Sequence, residues 1–314
     1  MPCYSPLIAH YSKSVNDSGK RSLVFNSKDT IFSDNCISVP CGQCIGCRLE
    51  RSRQWALRCE HEAMLHEQNS FITLTYNDEN LPADGSLVKA DFQKFMKRLR
   101  RRLDYDYNVK IRFYGCGEYG QDQDLLHQGI DALGRPHFHA IIFGYGFYHD
   151  RQPHKKNGDN MLYTSALLDS VWQKGFCSVG EMTFESAAYC ARYCLKKVTG
   201  DEAVDHYQKI DRSTGEVVLV EPEFQLASRN PGIGKKWYDK FKDDLKKDFI
   251  TSRGVKMRPA KYYDYLTEKY DPFFFESIKK ARKDASQNVE TDPERLLVSE
   301  QVKLAQISNL SRKL

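Results

Sequence analysis

The chain has 314 residues, 40% of them hydrophobic and 28% charged, with a formal net charge of +5. That is the composition of a soluble globular protein with one large or two ordinary domains, and so modest a charge says little about partners by itself. No run of 18 apolar residues is present, which argues against a membrane span, and MPCYSPLIAHYSKS lacks the apolar core of a secretory signal. The ten cysteines are therefore expected to be thiols or metal ligands of a reducing compartment, not disulfides.

Residues 1–47 read as irregular and end in PCGQCIGC. Cys41, Cys44 and Cys47 stand at C-x2-C-x2-C spacing, with Cys36 adding C-x4-C. Both ferredoxin spacings are matched only in part. A structural Zn2+ on Cys41, Cys44 and Cys47, with Cys3, Cys36 or Cys59 as fourth ligand, is one reading; free thiols are the other.

Residues 48–67 carry Leu49, Trp55, Ala56, Cys59, Ala63 and Met64 near one stripe and predict an amphipathic helix. SFITLTYND (70–78) predicts a strand, closed by a turn-forming NDENLPADG. Asp91 is placed to open a helix whose Phe92, Phe95, Met96, Leu99 and Leu103 form an apolar face. From Leu87 to Arg112 there are nine Lys or Arg against three Asp, a block that suits a polyanion such as nucleic acid or a plain solvated helix face.

VKIRFYGCGEYG (109–120) predicts the next strand, and GRPHFHAIIFG (134–144) another, opened by Gly134 and Pro136. The short polar link between them has no helix pattern, which favours an antiparallel pair. A helix at 164–174, a strand at 176–183 and a helix at 184–197 follow. The remainder, 201–314, is mixed and charged and ends in a polar helix. These elements predict an α+β domain, an antiparallel sheet with helices packed on one face.

Two motifs carry chemistry. Residues two apart on a strand share a face, so His137 and His139 leave one side of the sheet together, with Phe138 on the other. Glu118 ends the strand expected to pair with theirs. Two imidazoles and a carboxylate with open positions suit Mg2+ or Mn2+ and leave room for phosphate oxygens. GCGEYG fits G-x-G-x-x-G, but the segment after it is not the helix a dinucleotide site requires. In YCARYCLKK (189–197), Tyr189 and Tyr193 lie four apart on one helix face and Lys196 one turn beyond. Ala187, Ala188 and Ala191 are small enough to let that helix lie close to a sheet.

His-x-His after a proline, followed some fifty residues later by Tyr-x-x-x-Tyr-x-x-Lys, resembles the two-tyrosine HUH endonucleases. The order FITLTYND, CGEYG, GRPHFHAIIFG, YCARYCLKK, SRNPGIG, with VPCGQCIGCRLERSRQWALRC before it, resembles within them the replication initiation proteins of Microviridae, the small single-stranded DNA phages of gokushovirus type. The resemblance runs from about residue 36 to 240. It implies an RRM-like HUH palm, with His137, His139 and Glu118 as ligands of the divalent metal. It implies Tyr189 and Tyr193 as nucleophiles and Lys196 as the accompanying lysine. It further implies a site-specific nick and later ligation at the phage replicative-form origin through a 5′-phosphotyrosine, priming rolling-circle replication. Single-stranded or nicked origin DNA, a host helicase and polymerase, and the cytoplasm of the bacterial host follow as partners and place. On this basis residues 1–64 are expected to form a Cys-rich segment and helix, 65–200 the endonuclease domain and 201–314 a C-terminal extension. A non-catalytic RRM-like single-strand binder, or a related relaxase or transposase, is the alternative reading.

Overall fold

The histidine strand is buried on both sides along its apolar run, and the architecture follows from covering both. The computed structural model describes residues 3–17, 19, 21–25, 36–121, 133–158, 160–193, 198, 202–210, 214–286 and 292–308. The chain divides into two compact units, Met1–Arg51 with Ser277–Arg312, and Ser52–Glu276.

In the first unit, β1 (Leu7–Val15) lies between β2 (Arg21–Val24) and β3 (Cys36–Val39), all antiparallel. This small sheet falls in a stretch expected to be irregular. Its strands are short and mostly exposed, so they lack the apolar alternation by which a strand is recognised.

The second unit is built on a seven-stranded sheet. Its strands are β4 (Asn69–Tyr76), β5 (Arg112–Gln121), β6 (Leu133–Phe143), β7 (Arg151–Asn157), β8 (Asn160–Ser165) and β9 (Gly175–Glu181), followed, after a small β10 (Gln208–Ile210) and β11 (Val217–Leu219) hairpin, by β12 (Phe224–Ala227). The order across the sheet is β12-β5-β6-β4-β9-β8-β7, and every pairing is antiparallel. The expected antiparallel β5–β6 pair is present, with Glu118 opposite His137 and Cys116 opposite His139. The polar hairpin β7–β8 has no counterpart among the predicted elements, because Arg151–Asn157 has no apolar face to announce it.

On one side of the sheet, Phe138, Ala140 and Ile142 of β6 pack with Phe92, Phe95, Met96, Leu99 and Leu103 of the helix Lys89–Tyr107 and with Leu168 and Trp172 of the helix Ala166–Trp172. Full burial of each such side chain contributes about 1.5–3 kcal/mol. On the other side, Ile141 and Phe143 of β6 and Tyr114 and Cys116 of β5 pack with Ala56 and Cys59 of the helix Ile45–Ala63 and with Ala187, Cys190 and Ala191 of the helix Phe184–Tyr193. The helices thus flank both faces of the antiparallel sheet, not the one face expected. AIIF alternates sides like any strand yet is apolar at every position, and an exposed face there would leave two large side chains in water.

The domain boundaries also differ from the expected ones. The helix expected to close the N-terminal segment contributes Ala56 and Cys59 to the sheet's core, and β12, assigned to the extension, pairs with β5. Four residues of FQLA are too few for a periodic signal, but they satisfy β5's outer backbone groups.

A third cluster gathers Leu57, Trp237, Tyr238, Tyr263 and Leu266. His61 lies inside it, stacked on Trp237 with ring centroids 3.5 Å apart and with Nδ1 2.8 Å from the Tyr263 hydroxyl. Burial pushes its pKa down to about 3. The unfolded chain, with His61 near its ordinary value, then binds the proton that the fold excludes. Stability is therefore retained above about pH 6.5 and falls as the pH drops from there toward 3. At pH 4.5 the two-unit gap corresponds to about 3 kcal/mol lost to this residue. Urea unfolding at pH 7.5 and 4.5 should show a clearly smaller acid loss for His61→Gln than for the wild type.

Candidate active site

The site is assembled by strand register. Glu118 of β5 stands opposite His137 of β6, and His139 stands opposite Thr73 of β4. Directly opposed residues share a sheet face, so four polar side chains from three strands meet on the side covered by the tyrosine helix. The intervening residues face the other way. There a side chain at Gly115 or Gly117 would meet the rings of Phe92 and Phe224 within 3 Å, at 2.8 and 2.7 Å. Gly115 and Gly117 of GCGEYG therefore serve close packing of rings against the sheet, a use that needs no nucleotide.

His137 Nε2 lies 2.7 Å and His139 Nε2 3.1 Å from the same oxygen, Glu118 Oε1. The carboxylate is almost fully buried, at 2% exposure. Burial would raise its pKa, but the hydrogen bonds and charge of His137 and His139 outweigh that and hold it below the ordinary glutamate value. Its second oxygen, Oε2, is buried without a hydrogen-bond partner among the described residues.

The outer ring nitrogens are also held. His137 Nδ1 lies 3.1 Å from the Arg135 carbonyl oxygen, and His139 Nδ1 2.9 Å from Thr73 Oγ1. A carbonyl only accepts, so His137 donates through Nδ1, and its Nε2 faces the carboxylate oxygen. Two acceptors then face each other unless a second proton or a cation lies between them. The ligand atoms of Glu118, His137 and His139 all lie within 4.8 Å of one another. Two imidazoles, a carboxylate and a buried second oxygen without a partner among the described residues fit a divalent cation. Phe71 stacks on His139 with centroids 5.3 Å apart and fixes the ring plane.

The helix Phe184–Tyr193 begins where Thr183 and Ser186 cap each other. The Ser186 amide donates to Thr183 Oγ1 at 3.1 Å, and the Thr183 amide to Ser186 Oγ at 2.8 Å. Ala187 and Ala191 are buried against the sheet, as their size predicts. Cys190 packs beside Cys116, Sγ to Sγ 3.5 Å. This close seat brings the half-buried Tyr189 edge-on to His139, ring centroids 5.3 Å apart. Tyr193 ends the described helix one turn further on. Lys196 lies outside the described residues.

The N-terminal cysteines form a separate group in their own unit. Cys41, Cys44 and Cys47 come together, and Cys3 joins them. Cys36 is exposed and Cys59 is buried among Ala56 and Tyr114, so neither is the fourth member.

The basic helix Lys89–Tyr107 serves the core as well as the surface. Its apolar stripe packs on the Phe138 side, across the sheet from the two histidines. Part of its charge is structural. Arg98 donates to the carbonyls of Val171 and Trp172, Arg100 covers the Phe113 ring, and Arg102 pairs with Asp106. SRNPGIGKKW likewise turns inward. The Gly234 amide donates to Glu62 Oε2 at 2.7 Å, and Arg112 bridges Glu62 to the Pro231 carbonyl.

The chain resembles known proteins over this same region. Residues 69–198 match the family described as replication-associated protein ORF2/G2P. Replication-associated protein VP4 of Bdellovibrio phage phiMH2K is 31% identical over 246 residues, covering 77% of this chain and 68% of that protein. The chain belongs to the Microviridae-type replication-associated proteins. In this family, replication-associated protein ORF2 of Spiroplasma virus 4 is 29% identical over 90% of this chain and 86% of its own. Replication-associated protein ORF4 of Chlamydia phage 1 is 36% identical over 51% of this chain and 38% of its own. No solved structure matches.

Sequence reasoning about this replication-associated protein missed Thr73 and Phe71, because FITLTYND reads as a purely structural strand. The signal was a threonine on the strand face opposite Ile72 and Leu74, the face it shares with Phe71. Replacing Thr73 with Val removes the group that orients His139. Mn2+ binding by the purified protein, followed by titration calorimetry, should weaken about 10–100-fold with the fold's melting curve retained.

Proposed function

We propose that this protein starts phage DNA replication as a metal-dependent endonuclease and ligase that nicks one origin strand through a tyrosine nucleophile. The observation that carries the reading is Tyr189, whose ring lies against His139 of the buried Glu118–His137–His139 group. Membership in a replication-associated family supports the setting.

Under this reading Glu118, His137 and His139 hold Mg2+ or Mn2+. The cation's contribution when bound is to polarise the scissile phosphate and offset its charge. The protein's own residues do the rest. Thr73, Phe71 and the Arg135 carbonyl fix the imidazole planes before DNA arrives. Tyr189 is held on a capped helix whose small side chains seat it against the sheet. Attack by its oxygen forms a phosphorus–oxygen bond to tyrosine and breaks the bond to the 3′ oxygen. The phenolic proton passes to solvent and the 3′ oxygen leaves as a hydroxyl. An unassisted phenol near pKa 10 pays about 4 kcal/mol to ionise at pH 7, so the reading gives the neighbouring cation and Lys196 the task of lowering that cost. The phosphotyrosine conserves the bond for rejoining, and Tyr193, one helical turn away, is the second nucleophile.

The freed 3′-OH would be extended with a host helicase and polymerase, in the cytoplasm of the infected bacterium. Among the described residues no helix is long and apolar enough to cross a membrane. Residues 52–276 form the nuclease unit of this proposal. Exposed Lys94, Lys97 and Arg101 on the far side of the sheet would add salt-dependent, sequence-blind attraction for phosphate.

Incubation with an origin-bearing single strand and Mn2+ should give a denaturation-resistant protein–DNA band. Tyr189→Phe and Tyr193→Phe together should abolish it, and peptide mapping should locate DNA on one of these tyrosines. His137→Ala or His139→Ala should reduce cleavage at least ~100-fold with DNA binding largely kept. Binding with no adduct under any divalent metal would overturn the nuclease reading in favour of a non-catalytic binder.

A further inference from the structure

The N-terminal unit carries a second constellation that the nicking chemistry does not use. Cys3 precedes β1, while Cys41, Cys44 and Cys47 lie on the turn after β3 and the first turn of the helix Ile45–Ala63. Their four sulfurs all fall within 4.8 Å of one another. Cys3 Sγ is 3.6 Å from Cys41 Sγ and 3.9 Å from Cys44 Sγ. A disulfide would bring two of them to about 2.05 Å. Four thiolates ~2.3 Å from one tetrahedral ion stand roughly 3.8 Å apart, which is the spacing seen. An iron–sulfur cluster, whose thiolates bind different irons, spreads its ligands more widely.

The backbone around the group is arranged for thiolates. The amides of Gln43 and Cys44 donate to Cys41 Sγ at 3.4 and 3.3 Å, Tyr4 donates to Cys44 Sγ at 3.3 Å, and Cys41 donates to Cys3 Sγ at 3.3 Å. The first two come from one tight turn that Gly42 permits at φ +78°. Amide donors to sulfur favour the charged form and steady metal-bound thiolates.

We infer that Cys3, Cys41, Cys44 and Cys47 form a closed structural Zn2+ site that fastens the N-terminal unit. Four cysteine ligands leave no open position, so the site does not turn over substrate. The unit's composition shows what the ion supplies. Its described buried apolar side chains are few, Tyr4, Ala9, Ile278 and Leu296, whereas Leu7, Ile8, Tyr11 and Val15 of β1 are exposed. A unit this poor in core needs a covalent or metal clip. The ion joins residues 38 apart in sequence, Cys3 and Cys41, across the base of the β1–β3 pairing.

The test uses the full chain in a His137→Ala/His139→Ala background, which removes the other metal group. Protein from zinc-supplemented cells is assayed by elemental analysis. About one equivalent of zinc per chain is expected. Cys36→Ser should retain it, while Cys3→Ser and Cys44→Ser should each lose most of it. Reconstitution with Co2+ should give the intense visible absorption of a tetrahedral tetrathiolate, which reports on the site even where a serine variant misfolds. Cys3→His should restore metal content with an altered cobalt spectrum. Chelation should expose residues 3–47 to limited proteolysis. Zinc content indifferent to Cys3 and Cys44, iron in place of zinc, or a cobalt spectrum without thiolate character would overturn the assignment.

Discussion

The candidate active site depends on one carboxylate oxygen. Glu118 Oε1 receives both histidine ε-nitrogens, while the outer nitrogens are held by Arg135 and Thr73. Each of these contacts is a matter of register. A slip of one residue between β5 and β6 would turn Glu118 to the opposite face from the imidazoles. The two-sided burial of β6 prevents that slip, since it would exchange Phe138 with the histidines and drive polar groups into the Phe92–Trp172 cluster. The hydrophobic core and the polar site are therefore two consequences of the same alignment.

The tyrosine helix is fitted to this sheet by subtraction of volume. Alanines and a cysteine on its inner face allow an approach that leucines would forbid, and the reciprocal Thr183–Ser186 cap fixes where it starts. Tyr189 then meets His139 edge-on. The opposite face is built from large rings, and the glycines of β5 make room for them. Small residues thus do different work on the two faces: approach of a helix on one, accommodation of aromatic side chains on the other.

Charge is distributed with the same division. The basic helix Lys89–Tyr107 lies behind the sheet, where Arg98 closes two carbonyls and Arg100 covers a ring. Its basic character is partly a means of ending the helix Ala166–Trp172 and shielding the core. The loop rich in glycine at 231–234 similarly spends its amide on Glu62, whose buried carboxylate is kept ionised by Arg112, His66 and that amide against the cost of burial.

The sequence by itself determined the local elements with strong periodicity, the antiparallel sense of β5 and β6, and the sharing of one face by His137 and His139. It also determined that Tyr189 could lie near a sheet, through the size of Ala187 and Ala191. These are properties of neighbouring residues, and strand and helix geometry fixes them at short range. Only the tertiary structure decided that Thr73 orients His139, that Cys3 and not Cys36 or Cys59 completes the cysteine group, and that β12 belongs to the main sheet. It also decided that helices cover both faces, which sets the basic helix away from the Glu118–His137–His139 group. Each of these joins segments far apart in the chain, and each was settled by burial and register across the fold, for which a local pattern carries no signal.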